Sequence, residues 1–240
     1  PALYLAQLTT PNLTDDGFAG SLADPIATPT SGEIFVDTAP AWTPDSQSIA
    51  FARSEWVDDI ATGTVIAQIS ADGGMVETLV QLSDTEPYLV SHKTQWSPDG
   101  ATLYYSLTHD EYGHPDNGIW AFDTVTGQTR PVAIDGDPQL EPLALLEVSP
   151  SGDQLVAWYP EAYSGFQVDQ FAPVLVDLVT GEIVPVAPPA EYAEANPGGF
   201  TVPTFSPDGT MLLGVTSFSE RAWRGLGDRT RHWQTNRADR

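Results

Sequence analysis

"WSPDGATLYYS" (residues 96–106) sets an aromatic residue against a Ser-Pro-Asp-Gly turn and follows it at once with an alternating apolar run. The pattern recurs as "WTPDSQSIAFA" from Trp42, "VSPSGDQLVAW" from Val148 and "FSPDGTMLLGV" from Phe205. The turn prolines Pro44, Pro98, Pro150 and Pro207 stand 54, 52 and 57 residues apart. Proline presets φ at the second turn position, the aspartate accepts backbone N–H groups, and glycine tolerates φ > 0. A second marker keeps the same period. "ISADGGMVETLV", "FDTVTGQTRPVA" and "VDLVTGEIVPVA" carry turn glycines Gly73, Gly127 and Gly181, each 54 residues from the next. Two markers on one period define a repeat.

Each unit reads as four strands. One enters the Ser-Pro-Asp turn ("LVSHKTQW"), one leaves it ("TLYYSL"), a third follows a loop ("GIWAFDT"), and a fourth follows the Thr-Gly turn ("QTRPVAI"). Alternation and turn spacing argue for antiparallel hairpins rather than helices. Four strands per repeat of roughly 50 residues is the pattern of a β-propeller blade. The expected fold class is therefore all-β, a β-propeller of four-stranded antiparallel blades with about four blades represented. The units fall at about 33–85, 86–140, 141–195 and 196–219, within one domain over 1–219 that opens with the strand-like "ALYLAQL". The incomplete fourth unit either joins that N-terminal strand in a small ring or belongs to a larger one; edge strands, which need closure or cover, favour the larger ring.

"WSPDG", "FSPDG" and the variants "WTPDS" and "VSPSG", each followed by a strand and then "D-x-x-T-G" in two units, resemble the TolB-type propeller repeat over residues 33–219. The same repeat occurs in propellers of dipeptidyl-peptidase-like and prolyl-oligopeptidase-like enzymes. The resemblance speaks for fold, because propellers host unrelated activities. Ser46 at the first turn glycine, and Ser151-Gly152 in place of Asp-Gly in the third turn, depart from the pattern and put local turn geometry in question.

The chain has 240 residues, no cysteine and a formal charge of −24. Disulfides and thiolate chemistry are thereby excluded. The negative field disfavours nucleic acid and acidic lipid and favours a basic protein partner. No apolar run approaches the roughly 18 residues of a membrane span, so the chain is expected to be soluble; no signal peptide is read in it, and one removed ahead of Pro1 would leave none to read. Residues 220–240 hold six of the nine basic residues; this tail is either a basic arm folding back onto the acidic body or foreign to the domain.

Loops after the second and fourth strands share one end of each blade and are expected to be long, which is where binding residues usually sit. Six such stretches, 53–63, 81–88, 108–118, 134–142, 159–170 and 187–198, hold fifteen carboxylates and one cation, Arg53. Aromatic residues are interleaved among them, an interface signal. The candidate binding residues are Trp56, Asp58, Asp59, Asp110, Glu111, Tyr112, Tyr163 and Tyr192. In "HDEYGHPDNG" (109–118), His109, Asp110, Glu111, His114, Asp116 and Asn117 offer oxygen and nitrogen ligands, but their spacing matches neither an EF-hand nor a helical zinc motif. "DGDPQLE" (135–141) is calcium-like and incomplete. No cofactor is expected, with calcium or another divalent cation as the alternative.

No nucleophile elbow, metalloprotease motif or phosphate loop occurs. His92 lies in a first-strand run, toward the channel or the blade interior. Asp45, Asp99 and Asp208 are expected to cap their own turns, and Trp42, Trp96 and Phe205 to pack between blades. The expectation is a non-catalytic protein-binding or scaffold propeller. The TolB-like resemblance and the acidity imply export to the periplasm or cell surface. The alternatives are the regulatory propeller of a serine peptidase, or a metal- or sugar-binding propeller.

Overall fold

The computed structural model describes residues 34–57, 60–83, 89–108, 116–132, 144–164, 167–186, 200–216 and 233–234. All described regular structure is β. No helix among these residues is long and apolar enough to cross a membrane. The chain divides into two compact units, 1–88 and 89–240.

The first unit holds one antiparallel sheet in the order β1 (Ile34–Trp42), β2 (Ser48–Val57), β3 (Ile60–Ser70), β4 (Glu77–Ser83). The second holds three sheets. One is β5 (Leu89–Trp96), β6 (Thr102–Thr108), β7 (Gly118–Asp123), β8 (Gln128–Pro131); the next is β9 (Ala144–Val148), β10 (Gln154–Ser164), β11 (Gln167–Asp177), β12 (Ile183–Pro185). The last pairs β13 (Phe200–Phe205) with β14 (Met211–Thr216) and β14 with β15 (Trp233–Gln234). Three sheets thus have the four-stranded order expected of propeller blades. The fourth has the opening hairpin and a two-residue strand from the basic tail, with Leu212 opposite Trp233.

Apolar burial ties the sheets of the second unit together. Tyr104, Ile119, Ala121 and Val132 of its first sheet share a core with Leu145, Val148, Leu155, Ala157, Val174 and Val176 of the next. Val156 and Leu212 form a further core with Trp158, Leu175 and Phe205. The position before each turn is therefore a packing position here, as expected: Val148 and Phe205 each face the preceding sheet, and Trp96 is buried. Trp42 differs, with 49% of its surface exposed.

Each first strand carries a register shift ahead of its turn: Thr38/Ala41, Val90/Thr94, Thr201/Thr204, and between Leu145 and Glu147 opposite Val156/Ala157. Pro40 and Pro203 fall within such shifts, where a missing ladder donor is tolerated. The outer strands are blunted as edges require. β8 is exposed and ends in Arg130-Pro131, β12 ends in Pro185, and two register shifts interrupt β4 against β3.

Candidate functional site

The four repeated proline turns share two backbone-closing hydrogen bonds. The leading hydroxyl of Thr43, Ser97, Ser149 or Ser206 accepts the N–H of the residue five places on, at 2.9 to 3.1 Å. The N–H groups of Ser46, Gly100, Gly152 and Gly209 close the turn onto the carbonyl three residues back. In three turns the hydroxyl donates to the aspartate, which also accepts the N–H two residues on. Donors converging on an ionised carboxylate favour that form. The Ser206 hydroxyl, with the Thr210 N–H, holds Asp208 at about 2. The Thr43 and Ser97 hydroxyls, then the Gln47 and Ala101 N–H groups, lower Asp45 and Asp99.

The third turn substitutes for its missing aspartate. Asp153, two residues beyond Ser151, accepts from the hydroxyls of both Ser149 and Ser151. Ser46, at the first turn glycine, adopts φ 60°, so the backbone conformation survives the replacement. The Thr-Gly turns follow a parallel scheme: Asp123 accepts the N–H groups of Val125 and Thr126, and Asp177 those of Val179 and Thr180. The Thr126 and Thr180 N–H groups are the leading cause lowering Asp123 and Asp177. The repeated aspartates are occupied in closing turns, as expected of capping residues.

The opposite end of the sheets differs from the sequence expectation. The stretch 53–63, read as a long loop, is strand almost throughout: β2 runs to Val57 and β3 resumes at Ile60, with Val57 opposite Ile60. Likewise β10 and β11 convert 159–170 into a hairpin with only two residues between its strands. The alternation of "FARSEWV" and "VDQFAPVLV" continues through the charged and polar residues; polarity alone had suggested loops. The β10–β11 hairpin runs past its neighbours, with 11 residues in each strand against five in β9 and three in β12, whereas β1 flanks the β2–β3 hairpin as far as Trp56, which pairs with Ile34.

Of the candidate binding residues, Trp56 lies near the tip of the β2–β3 hairpin, half-buried, opposite Ala61. Its indole N–H is buried with no acceptor among the described residues. Tyr163 lies in the β10–β11 hairpin opposite Val168. Asp58, Asp59, Asp110, Glu111, Tyr112 and Tyr192 lie outside the described residues, as do His109, His114 and residues 135–141. Asp116 and Asn117 precede β7, where the Asp116 carbonyl accepts the Trp120 indole N–H at 2.8 Å. His92 is in β5. No group of three or more potential metal ligands occurs among the described residues.

Sequence reasoning missed an ion pair. Arg53, counted as the lone loop cation, sits in β2 directly opposite Asp37 of β1. Its Nε and Nη2 donate to the two carboxylate oxygens at 2.7 and 2.9 Å, and its guanidinium lies 5.1 Å from the Phe51 ring centre. Both side chains are nearly buried, at 11% and 2% exposure. Arginine at an internal alternating position of a strand was the available signal.

No family model matches the chain. Among solved structures it is similar to a TolB from Agrobacterium tumefaciens, at 14% identity over 78% of this chain and 72% of that one, with a TM-score of 0.47. It is similar to the β-propeller domain of the Trilobed protease from Pyrococcus furiosus, at 14% identity over 77% of this chain and 50% of that one, TM-score 0.46. A prolyl endopeptidase matches at 13% identity over 75% of this chain and 26% of that one, TM-score 0.48. The chain thus spans half of the protease propeller domain and about a quarter of the endopeptidase.

Proposed function

We propose that this chain is a non-catalytic binding or scaffold module that takes a basic protein partner through the second-to-third-strand ends of its sheets. One observation carries the reading: the β10–β11 hairpin extends past the strands on either side of it, while the recurrent hydroxyl–carboxylate pairs at the other ends of the sheets are used in closing turns. Trp56 and Tyr163 supply aromatic contact area, and Asp58, Asp59, Asp110 and Glu111 supply negative charge, with Tyr112 and Tyr192 as further aromatic anchors. Aromatic residues provide much of the energy at protein interfaces. Complementary charge steers the encounter. The acidic composition and the TolB-like motif support a place outside the cytoplasm.

The test is native mass spectrometry on the protein recovered from its source with its stable companions. It is repeated for Asp58→Lys/Asp59→Lys, for Asp110→Lys/Glu111→Lys, and for Glu77→Lys/Glu182→Lys as a matched charge control. With the four candidate carboxylates replaced in these two pairs, the protein is expected to bind a recovered companion about tenfold more weakly, with the control little changed. Equal retention in all three overturns the reading. Equal loss in all three reduces it to bulk charge.

A further inference from the structure

The chain contains two sulfur atoms, those of Met75 and Met211, and no cysteine. Their surroundings are opposite. Met75 follows Gly73 and Gly74 in the turn between β3 and β4 and is 93% exposed. Both glycines have positive φ, at 82° and 115°, and nothing lies within 4 Å of the point where a Gly74 side chain would begin. Met211 opens β14, is half-buried, and stands opposite Gln234 beside the buried Leu212. An apolar side chain left almost wholly in water adds little to folding. Thioether oxidation requires that the oxidant reach the sulfur.

We infer that Met75 is a surface oxidation site, converted to the sulfoxide by a peroxide-class oxidant before Met211 and without loss of the fold. The sulfur lone pair attacks one peroxide oxygen and the O–O bond breaks. The sulfur is oxidised by two electrons, and hydrogen peroxide is reduced to one water. A sulfoxide is polar and returns to the thioether through methionine sulfoxide reductases. At Met75 the change is therefore a reversible mark on one turn. At Met211 the same oxygen would be added to a half-buried side chain within β14.

The test is a time course of the whole protein in dilute hydrogen peroxide, read by peptide mass spectrometry and by the thermal midpoint of the singly oxidised species. Met75 is expected to gain one oxygen at least about ten times faster than Met211, with an unchanged midpoint. Met75→Leu is expected to abolish the fast phase and leave the slow one. Comparable rates at the two sulfurs, or a lowered midpoint after oxidation of Met75 alone, overturns the inference.

Discussion

Glu147 in β9 accepts the backbone N–H of Phe205 in β13 through Oε2 at 2.9 Å, so a side chain of one sheet completes the backbone of the next. One repeat earlier, Gln95 Oε1 accepts the N–H of Val148 at 2.8 Å. Both acceptors occupy the residue immediately before the turn's packing position, and each reaches the equivalent position one repeat on. Either an amide or a carboxylate serves. Glu147→Gln is therefore expected to stay within about 0.5 kcal/mol of the parent, whereas Glu147→Ala, leaving a part-buried N–H unmatched, should cost about 1–3 kcal/mol. Equilibrium urea unfolding distinguishes them; equal losses would show that the acceptor is immaterial.

Asp37 and Arg53 form the bidentate pair of the first sheet, with Asp37 almost completely buried. Removing Asp37 takes its carboxylate away from a nearly buried guanidinium. Asp37→Ala should destabilise by about 3–5 kcal/mol, and Asp37→Ala/Arg53→Met by less than Asp37→Ala alone. A double variant worse than the single one contradicts this.

Trp96 has a buried indole N–H without an acceptor among the described residues. The equivalent fourth-repeat residue is Phe205. Trp96→Phe removes the unmatched donor along with some apolar area, so the net change should be within about 1 kcal/mol. Trp96→Ala should cost about 3–5 kcal/mol. Chemical denaturation of both variants checks the contrast; a Phe variant as damaged as the Ala variant would mean the N–H is matched.

Ser46 holds φ 60° where the other turns have glycine. The left-handed region costs an L-residue roughly 1–2 kcal/mol, partly offset in a glycine variant by the greater freedom of its unfolded chain. Ser46→Gly should stabilise by about 0.5 kcal/mol. A lowered thermal midpoint would show that the side chain makes an offsetting contribution.

Five turn carboxylates give the pH prediction. Asp45, Asp99, Asp123, Asp177 and Asp208 all lie below the ordinary 3.8 in the folded protein, Asp208 at about 2. A depressed folded value means that the stabilisation is complete above the unfolded value and disappears as pH falls through the folded one. The thermal midpoint should therefore decline from about pH 4 toward pH 2. Asp208→Asn should make that decline shallower. A profile unaffected by the substitution would remove Asp208 from the linkage.

The blades were legible in the sequence because a turn consumes specific chemistry: a hydroxyl, a proline, a carboxylate and a positive-φ residue at fixed offsets. Even the irregular third turn had a readable substitute in Asp153. The strand ends at 55–57 and 162–164 were not legible, since their surroundings look like loop by polarity while their backbones remain paired. The links from Gln95 and Glu147 left no periodic trace, because the corresponding residues are Ala41 and Thr204 and the recipient is a backbone group. Most candidate binding residues lie where only composition speaks, so charge and aromatic content were readable there and geometry was not.

The contact of Pro98 with the third turn has a consequence for how such repeats can evolve. A side chain at Gly152 would begin 3.1 Å from Pro98 Cδ, and one at Gly209 3.6 Å from Pro150 Cδ. The residue allowed at the third turn is thus partly dictated by the repeat before it, while the approach at Gly209 is ordinary contact. A serine-bearing turn copied from the first repeat into the third would meet Pro98, whereas the reverse exchange carries a glycine. Exchange between these two repeats is consequently directional, and the third is constrained by its place in the array as well as by its own fold.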